Sequence, residues 1–142
     1  MSVLLRETSL NAQSSSRPPT SRFPLTPAIR HGDLIFCSGQ VPVVNGAIVS
    51  EEIREQTLQT LRNVQRVIEQ AGGSVDTILK CTCFLREAAL MPQFNAAYEE
   101  FFAGSPRFPA RTTVFAALPN PAALVEIEAI AAVAAQDLGG AR

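Results

Sequence analysis

Leu124-Val125-Glu126-Ile127-Glu128-Ala129-Ile130-Ala131-Ala132-Val133 is the stretch from which the rest of the chain is best read. Side chains of a strand alternate between its two faces. Val125, Ile127, Ala129, Ala131 and Val133 therefore share one side, an unbroken apolar face suited to packing beneath helices. Glu126 and Glu128 share the other with Leu124, Ile130 and Ala132. Two carboxylates thus stand in an otherwise apolar surface, where an unpaired charge is costly. The alternation leaves two readings open. The second face looks into water, or another subunit covers it and the carboxylates line a pocket.

Upstream, Leu118-Pro119-Asn120-Pro121 joins this strand to a second, Arg111 to Ala117. Arg111 shares a face there with Thr113, Phe115 and Ala117. If the two strands pair, Arg111 and a glutamate meet near one edge of the sheet. The arginine fork binds a small carboxylate through two hydrogen bonds. A neighbouring carboxylate can orient water or move a proton. A structural salt bridge is the alternative reading of the same pair.

Further back, Leu34-Ile35-Phe36-Cys37-Ser38-Gly39-Gln40 is rich in strand formers and follows the turn residues Gly32-Asp33. Asn45-Gly46, between Val43-Val44 and Ala47-Ile48-Val49, is a strong hairpin signal. Ile53, Thr57, Leu61, Val64, Ile68 and Ala71 then recur at helical spacing, with Ser50 as cap and Gly72-Gly73 as stop. A strand over Ile78 to Arg86 precedes a second helix, with Pro92 in its first turn and Phe94, Tyr98 and Phe102 on its buried stripe. The order predicts an α+β fold, a mixed β-sheet with two helices packed on one face.

The chain has 142 residues, of which 46% are hydrophobic and 18% charged, as expected of one globular domain. That domain is expected over 23–135. An irregular Ser-, Pro- and Arg-rich arm is expected over 1–22, and a flexible tail over 136–142. The formal charge of −1 argues against broad nucleic-acid binding, which needs a basic surplus. No apolar run reaches the length of a membrane span. Pro18 and Pro19 interrupt the amphipathic helix of a transit peptide, and Val3-Leu4-Leu5 is short for a secretory core. The expected location is cytoplasmic. Cys37, Cys81 and Cys83 lie in apolar, strand-like runs and read as buried thiols. One histidine, His31, and no CxxC spacing argue against a protein-built metal site.

Four separated motifs carry a resemblance. Gly32 to Pro42 resembles the "GDLxFxSGQxP" segment of the RidA/YjgF family of enamine/imine deaminases. Asn95 to Phe102 is similar to its second helix, "VNxxYxxFF". Pro109-Ala110-Arg111-Thr112 resembles its PAR motif, and Leu118-Pro119 with Val125 to Ala131 its "LP…VEIEAIA" ending. The resemblance covers about residues 24–134. It implies a chorismate-mutase-like fold and a homotrimer with active sites in clefts between subunits. It also implies hydrolysis of 2-aminoacrylate or 2-iminobutyrate type imino acids to 2-keto acids and ammonia, with no metal or organic cofactor.

Carried over residue by residue, Arg111 holds the substrate carboxylate and Glu126 orients or deprotonates the attacking water. Ser38, and the backbone of Gly39 and Thr113, line the pocket. Asn95 is given a structural role. Leu25 stands where the family commonly has a pocket aromatic, and Thr113 where it has Cys or another small residue, which leaves room for a bulkier imine. A carboxylate-binding or regulatory trimer without catalysis is the rival reading. A buried glutamate has no use in such a binder.

Overall fold

Residues 23–135 are described in a computed structural model of the chain. The expected arm over 1–22 and tail over 136–142 lie outside the described residues. The strands are β1 (Ala28–His31), β2 (Leu34–Gln40), β3 (Val43–Val44), β4 (Ala47–Ile48), β5 (Ile78–Leu85), β6 (Ala110–Phe115) and β7 (Val125–Ala132). The helices are α1 (Ile53–Gln70) and α2 (Met91–Phe102).

The main sheet has the order β1-β2-β7-β5-β6. β7 comes last in the chain yet lies between β2 and β5, antiparallel to both. β5 and β6 run parallel, with α2 as their crossover. Val125, Ile127, Ala129 and Ala131 are buried, as their alternation predicts, together with Ile35, Cys37, Cys81, Cys83 and Leu85. α1 covers β2 and β7. α2 packs beside α1 and brings Tyr98 near the edge strand β6. The mixed α+β architecture with both helices on one face is therefore the observed one.

Two details differ from the sequence reading. Ser50 does not cap α1. The N-cap is Glu52, and Ser50 Oγ accepts the Glu52 N–H at 3.0 Å, tying the turn that precedes the helix. β1 has no periodicity to announce it, because this four-residue edge strand is mostly exposed. The Asn45-Gly46 hairpin forms as read, with φ of 52° and 81° at the two turn residues.

The sheet face opposite the helices is uncovered among the described residues. Leu34, Phe36 and Val114 are 38%, 43% and 40% exposed there, beside Ile130, Glu126 and Glu128. The three thiols are free and buried on the covered side. Burial pushes Cys37 and Cys83 up to about 12 and Cys81 to about 11, so they stay protonated and act as packing groups.

Candidate active site

The register sorts the site residues into two groups. Arg111 pairs with Cys81, which pairs with Ala129, a row on the helix-covered face. Glu126 pairs with Phe84, which pairs with Val114, a row on the open face. The condition on which Arg111 and a glutamate would meet, pairing of β6 with β7, is not met: β5 lies between them. Three residues along the strands and two strands across put the Arg111 and Glu126 backbones roughly 14 Å apart. Their side chains also leave the sheet on opposite sides. Within one chain they cannot meet.

Arg111 begins β6 after the turn at Pro109. Its guanidinium carbon lies 4.8 Å from the Tyr98 ring centre and 5.4 Å from that of Phe94. These aromatics sit four residues apart on one stripe of α2 and form a floor for the cation. Among the described residues Arg111 forms no ion pair, because the only salt bridges join Arg54 to Glu55 and Glu100. The structural salt bridge is thus not what the structure contains. Arg111, Tyr98, Asn95, Glu99, Phe108 and Pro109 line an open cleft of about 380 Å³. Asn95, given a structural role on sequence grounds, is exposed and opens onto this cleft. The aromatic floor escaped sequence reading because Phe94 and Tyr98 carry the same spacing as any core stripe.

Next along β6, the Thr113 hydroxyl is buried without a hydrogen-bond partner. The Tyr98 hydroxyl approaches the Cys81 thiol but makes no well-formed hydrogen bond. Each is a polar atom left over in a largely apolar wall.

The second group lies at the other end of the sheet. The β2–β7 ladder breaks register between Cys37 and Gln40, which places Gly39 at a bulge. A methyl group built on Gly39 would overlap the Glu126 carboxylate and stand 3.2 Å from its Cγ. Glycine leaves that space to the Glu126 carboxylate, and a larger residue there would have to turn the glutamate side chain aside. Burial first, and the Glu128 charge second, hold the Glu126 carboxyl above the usual carboxylate range. Ser38 Oγ donates to Thr26 O at 2.5 Å, and Ser38 N–H to Pro27 O at 2.9 Å. These bonds draw the segment carrying Leu25 beside Ser38, with Leu25 itself 54% exposed. Ser38, Gly39, Glu126 and the Leu25 segment thus form one group of the expected residues, and Arg111 with its aromatic cleft the other.

Among the described residues, no three His, Cys, Asp or Glu side chains gather as a metal site, and no helix is long and apolar enough to cross a membrane.

Comparison with known proteins agrees with this architecture. The sequence model of the family described as Endoribonuclease L-PSP matches residues 15–133. A Lactococcus lactis protein named as a regulator, AldR, is 41% identical over 103 residues, 70% of this chain and 79% of that protein. A RutC family protein of Pyrococcus abyssi is 34% identical over 119 residues, 82% of this chain and 92% of that protein. The solved YjgF gene product of E. coli is similar with a TM-score of 0.75 at 36% identity, covering 80% of this chain and 91% of that one. E. coli TdcF with bound serine is similar with a TM-score of 0.75 at 33% identity, covering 83% and 94%.

Proposed function

This chain belongs to the Endoribonuclease L-PSP family, the family of the RutC and YjgF/RidA proteins, and on that premise we propose that it hydrolyses 2-enamine and 2-imino acids to 2-keto acids and ammonia. The observation that carries this reading is the unpaired Arg111 guanidinium, held over two aromatic rings at the wall of a cleft. A cation in that setting is poised for an external carboxylate, which its planar fork receives through two hydrogen bonds. The relative TdcF was solved with bound serine, a small molecule that carries such a carboxylate.

Arg111 and Glu126 of one chain face away from each other, so the reaction we propose runs where two copies meet. A closed ring of three such chains covers the open sheet face and places Arg111 of one copy against Glu126 of the next. Arg111 holds the substrate carboxylate. Glu126 takes a proton from a water lying about 3–3.5 Å from the imine carbon. The water oxygen bonds to that carbon, and the C=N π pair moves to nitrogen, which takes up a proton. The amino nitrogen takes up a second proton, and loss of the new hydroxyl proton re-forms a C=O as the C–N bond breaks. Ammonia leaves and a keto acid remains. An enamine first takes a proton at carbon to become the imine. Leu25 and the Phe108 side of the cleft leave space for a side chain larger than that of 2-aminoacrylate.

The regulatory reading keeps Arg111 as a carboxylate clamp without turnover, in line with the name of the AldR relative. Glu126 separates the two, because a binder gains nothing from a costly half-buried carboxylate with a raised pKa. A role on RNA, which the family description raises, fits poorly with a formal charge of −1. The test generates 2-imino acids of different side chains in situ with an amino-acid oxidase and follows keto-acid release. The protein is expected to accelerate release above the spontaneous rate. No acceleration for any side chain, with saturable binding of carboxylates, would establish the binder instead.

A further inference from the structure

Gln56 and Asn63 are buried amides on the core-facing stripe of α1, about two helical turns apart. A buried amide is costly unless its polar atoms are paired, and these are. Gln56 Nε2 donates to Ser50 O at 2.8 Å and Ala122 O at 3.0 Å, while Oε1 accepts the Leu124 N–H at 2.7 Å. Asn63 Nδ2 donates to Val41 O at 2.8 Å and Val43 O at 3.1 Å. Its Oδ1 accepts from Gln59 at 3.0 Å, which fixes the orientation of the amide.

The partners of these amides bracket one contact. Leu124 stands two residues before Glu126, and Val41 two residues after Gly39. The sheet holds that contact through a single pair beyond the irregularity, Gln40 with Ile127. The β2–β7 ladder loses register at Gly39 and has no pair beyond Gln40–Ile127. Glu126 itself pairs only with Phe84 of β5, one residue past the last β2–β7 pair. We propose that Gln56 and Asn63 are positioning residues for the reaction: from one helix they clamp the entry of β7 and the exit of β2, and so set where the Glu126 carboxylate stands over Gly39. The proposal rests on the deaminase reading for its catalytic consequence, although the clamp itself is read from hydrogen bonds.

The surroundings of Glu126 make the clamp measurable. Glu128 is the charged neighbour on its own strand. On the β5 side, Arg86 donates to the carbonyls of Asn120 and Ala123, and Lys80 to Thr112 Oγ1. β2 offers Ser38, Gly39 and Gln40, and β6 offers Thr112 and Val114, none of them charged. Burial against the β2 backbone is thus the leading influence on the carboxyl. Releasing either clamp admits water and returns Glu126 toward ordinary carboxylate behaviour.

Gln56→Met and Asn63→Leu, made separately in the full chain, test this. The first readout is kcat and KM on 2-iminobutyrate. The second is the titration of Glu126 followed by carboxyl carbon NMR, which needs no activity. Each variant is expected to lose about 10- to 100-fold in kcat, the scale of a misplacement of about 1 Å. KM should hold within about twofold, since Arg111 lies on the opposite face. The Glu126 midpoint should fall. If Gln56→Met does not fold, Asn63→Leu carries the same expectation with the β7 clamp intact. A folded variant that melts earlier but keeps the parent kcat and Glu126 midpoint overturns the proposal. A parent inactive on every imine, with the Glu126 midpoint still displaced in the variants, leaves the clamp standing and removes the deaminase reading.

Discussion

Arg111 rests over two aromatic rings and, among the described residues, makes no ion pair, an arrangement that separates its charge from its shape. Lysine keeps the charge but loses the fork and much of the stacking on Tyr98 and Phe94. Arg111→Lys should be impaired and Arg111→Ala nearly inactive. Truncating one partner of a charge-assisted pair costs about 2–5 kcal/mol, or about 30- to several-thousand-fold in kcat/KM. The loss should be the same for imines of every side chain, because the arginine reads the common carboxylate. Steady-state kinetics on a folded variant decides it, and a parent rate in Arg111→Ala sinks the clamp. Glu126 and Glu128 are a second residue-scale case. The Glu128 charge helps hold the Glu126 carboxyl up. If Glu126 acts as a base, turnover rises as pH climbs through its pKa. Glu128→Gln removes a like charge, lowers that pKa, and should move the acid limb of the pH–rate profile to lower pH while leaving the plateau near the parent value. Glu126→Gln should abolish most of the plateau instead.

At the scale of the element, the bulge in β2 matters most. The irregularity between Cys37 and Gln40 coincides with the place where the Glu126 carboxylate approaches Gly39. Gly39→Ala tests the contact directly. The added methyl must turn the end of the Glu126 side chain aside, a smaller perturbation than overpacking a closed core. Reduced turnover with a melting temperature close to the parent's should result, measured by the imine assay and thermal unfolding. An unchanged rate would show that the position of the carboxylate over Gly39 is irrelevant to the chemistry. The bulge itself was not legible in the sequence. Ser38-Gly39 lies in an otherwise regular strand pattern, and a lone glycine there has the same appearance whether or not a carboxylate sits on it.

For the whole molecule, the placement of Arg111 and Glu126 on opposite faces of the sheet leads to an experiment on mixed assemblies. If each site takes Arg111 from one copy and Glu126 from its neighbour, the single variants Arg111→Ala and Glu126→Gln complement each other. In a randomly mixed ring, about a quarter of the sites pair an intact Arg111 with an intact Glu126. Co-refolding the two inactive variants should therefore recover up to about a quarter of the parent activity, in particles of about three times 15.2 kDa by light scattering. A site built within one chain would recover none. The same assembly would cover Leu34, Phe36 and Val114, which otherwise leave a partly apolar sheet face in water.

The alternation Val125, Ile127, Ala129, Ala131 against Glu126, Glu128 was enough to say which face of the last strand is buried, because side-chain direction in a strand is a local property of the backbone. The helix spacings and the Asn45-Gly46 turn were legible for the same reason: each depends on neighbours a few residues away. Partner strands are chosen by contacts distant in sequence, and no local pattern says that β7 inserts between β2 and β5. That insertion placed β5 between Arg111 and Glu126, sent their side chains to opposite faces, and set the amides of Gln56 and Asn63 against the entry of β7 and the exit of β2. Local sequence determined the faces and tertiary pairing decided which residues share them, because a hydrogen-bonded ladder takes its register from the packed whole.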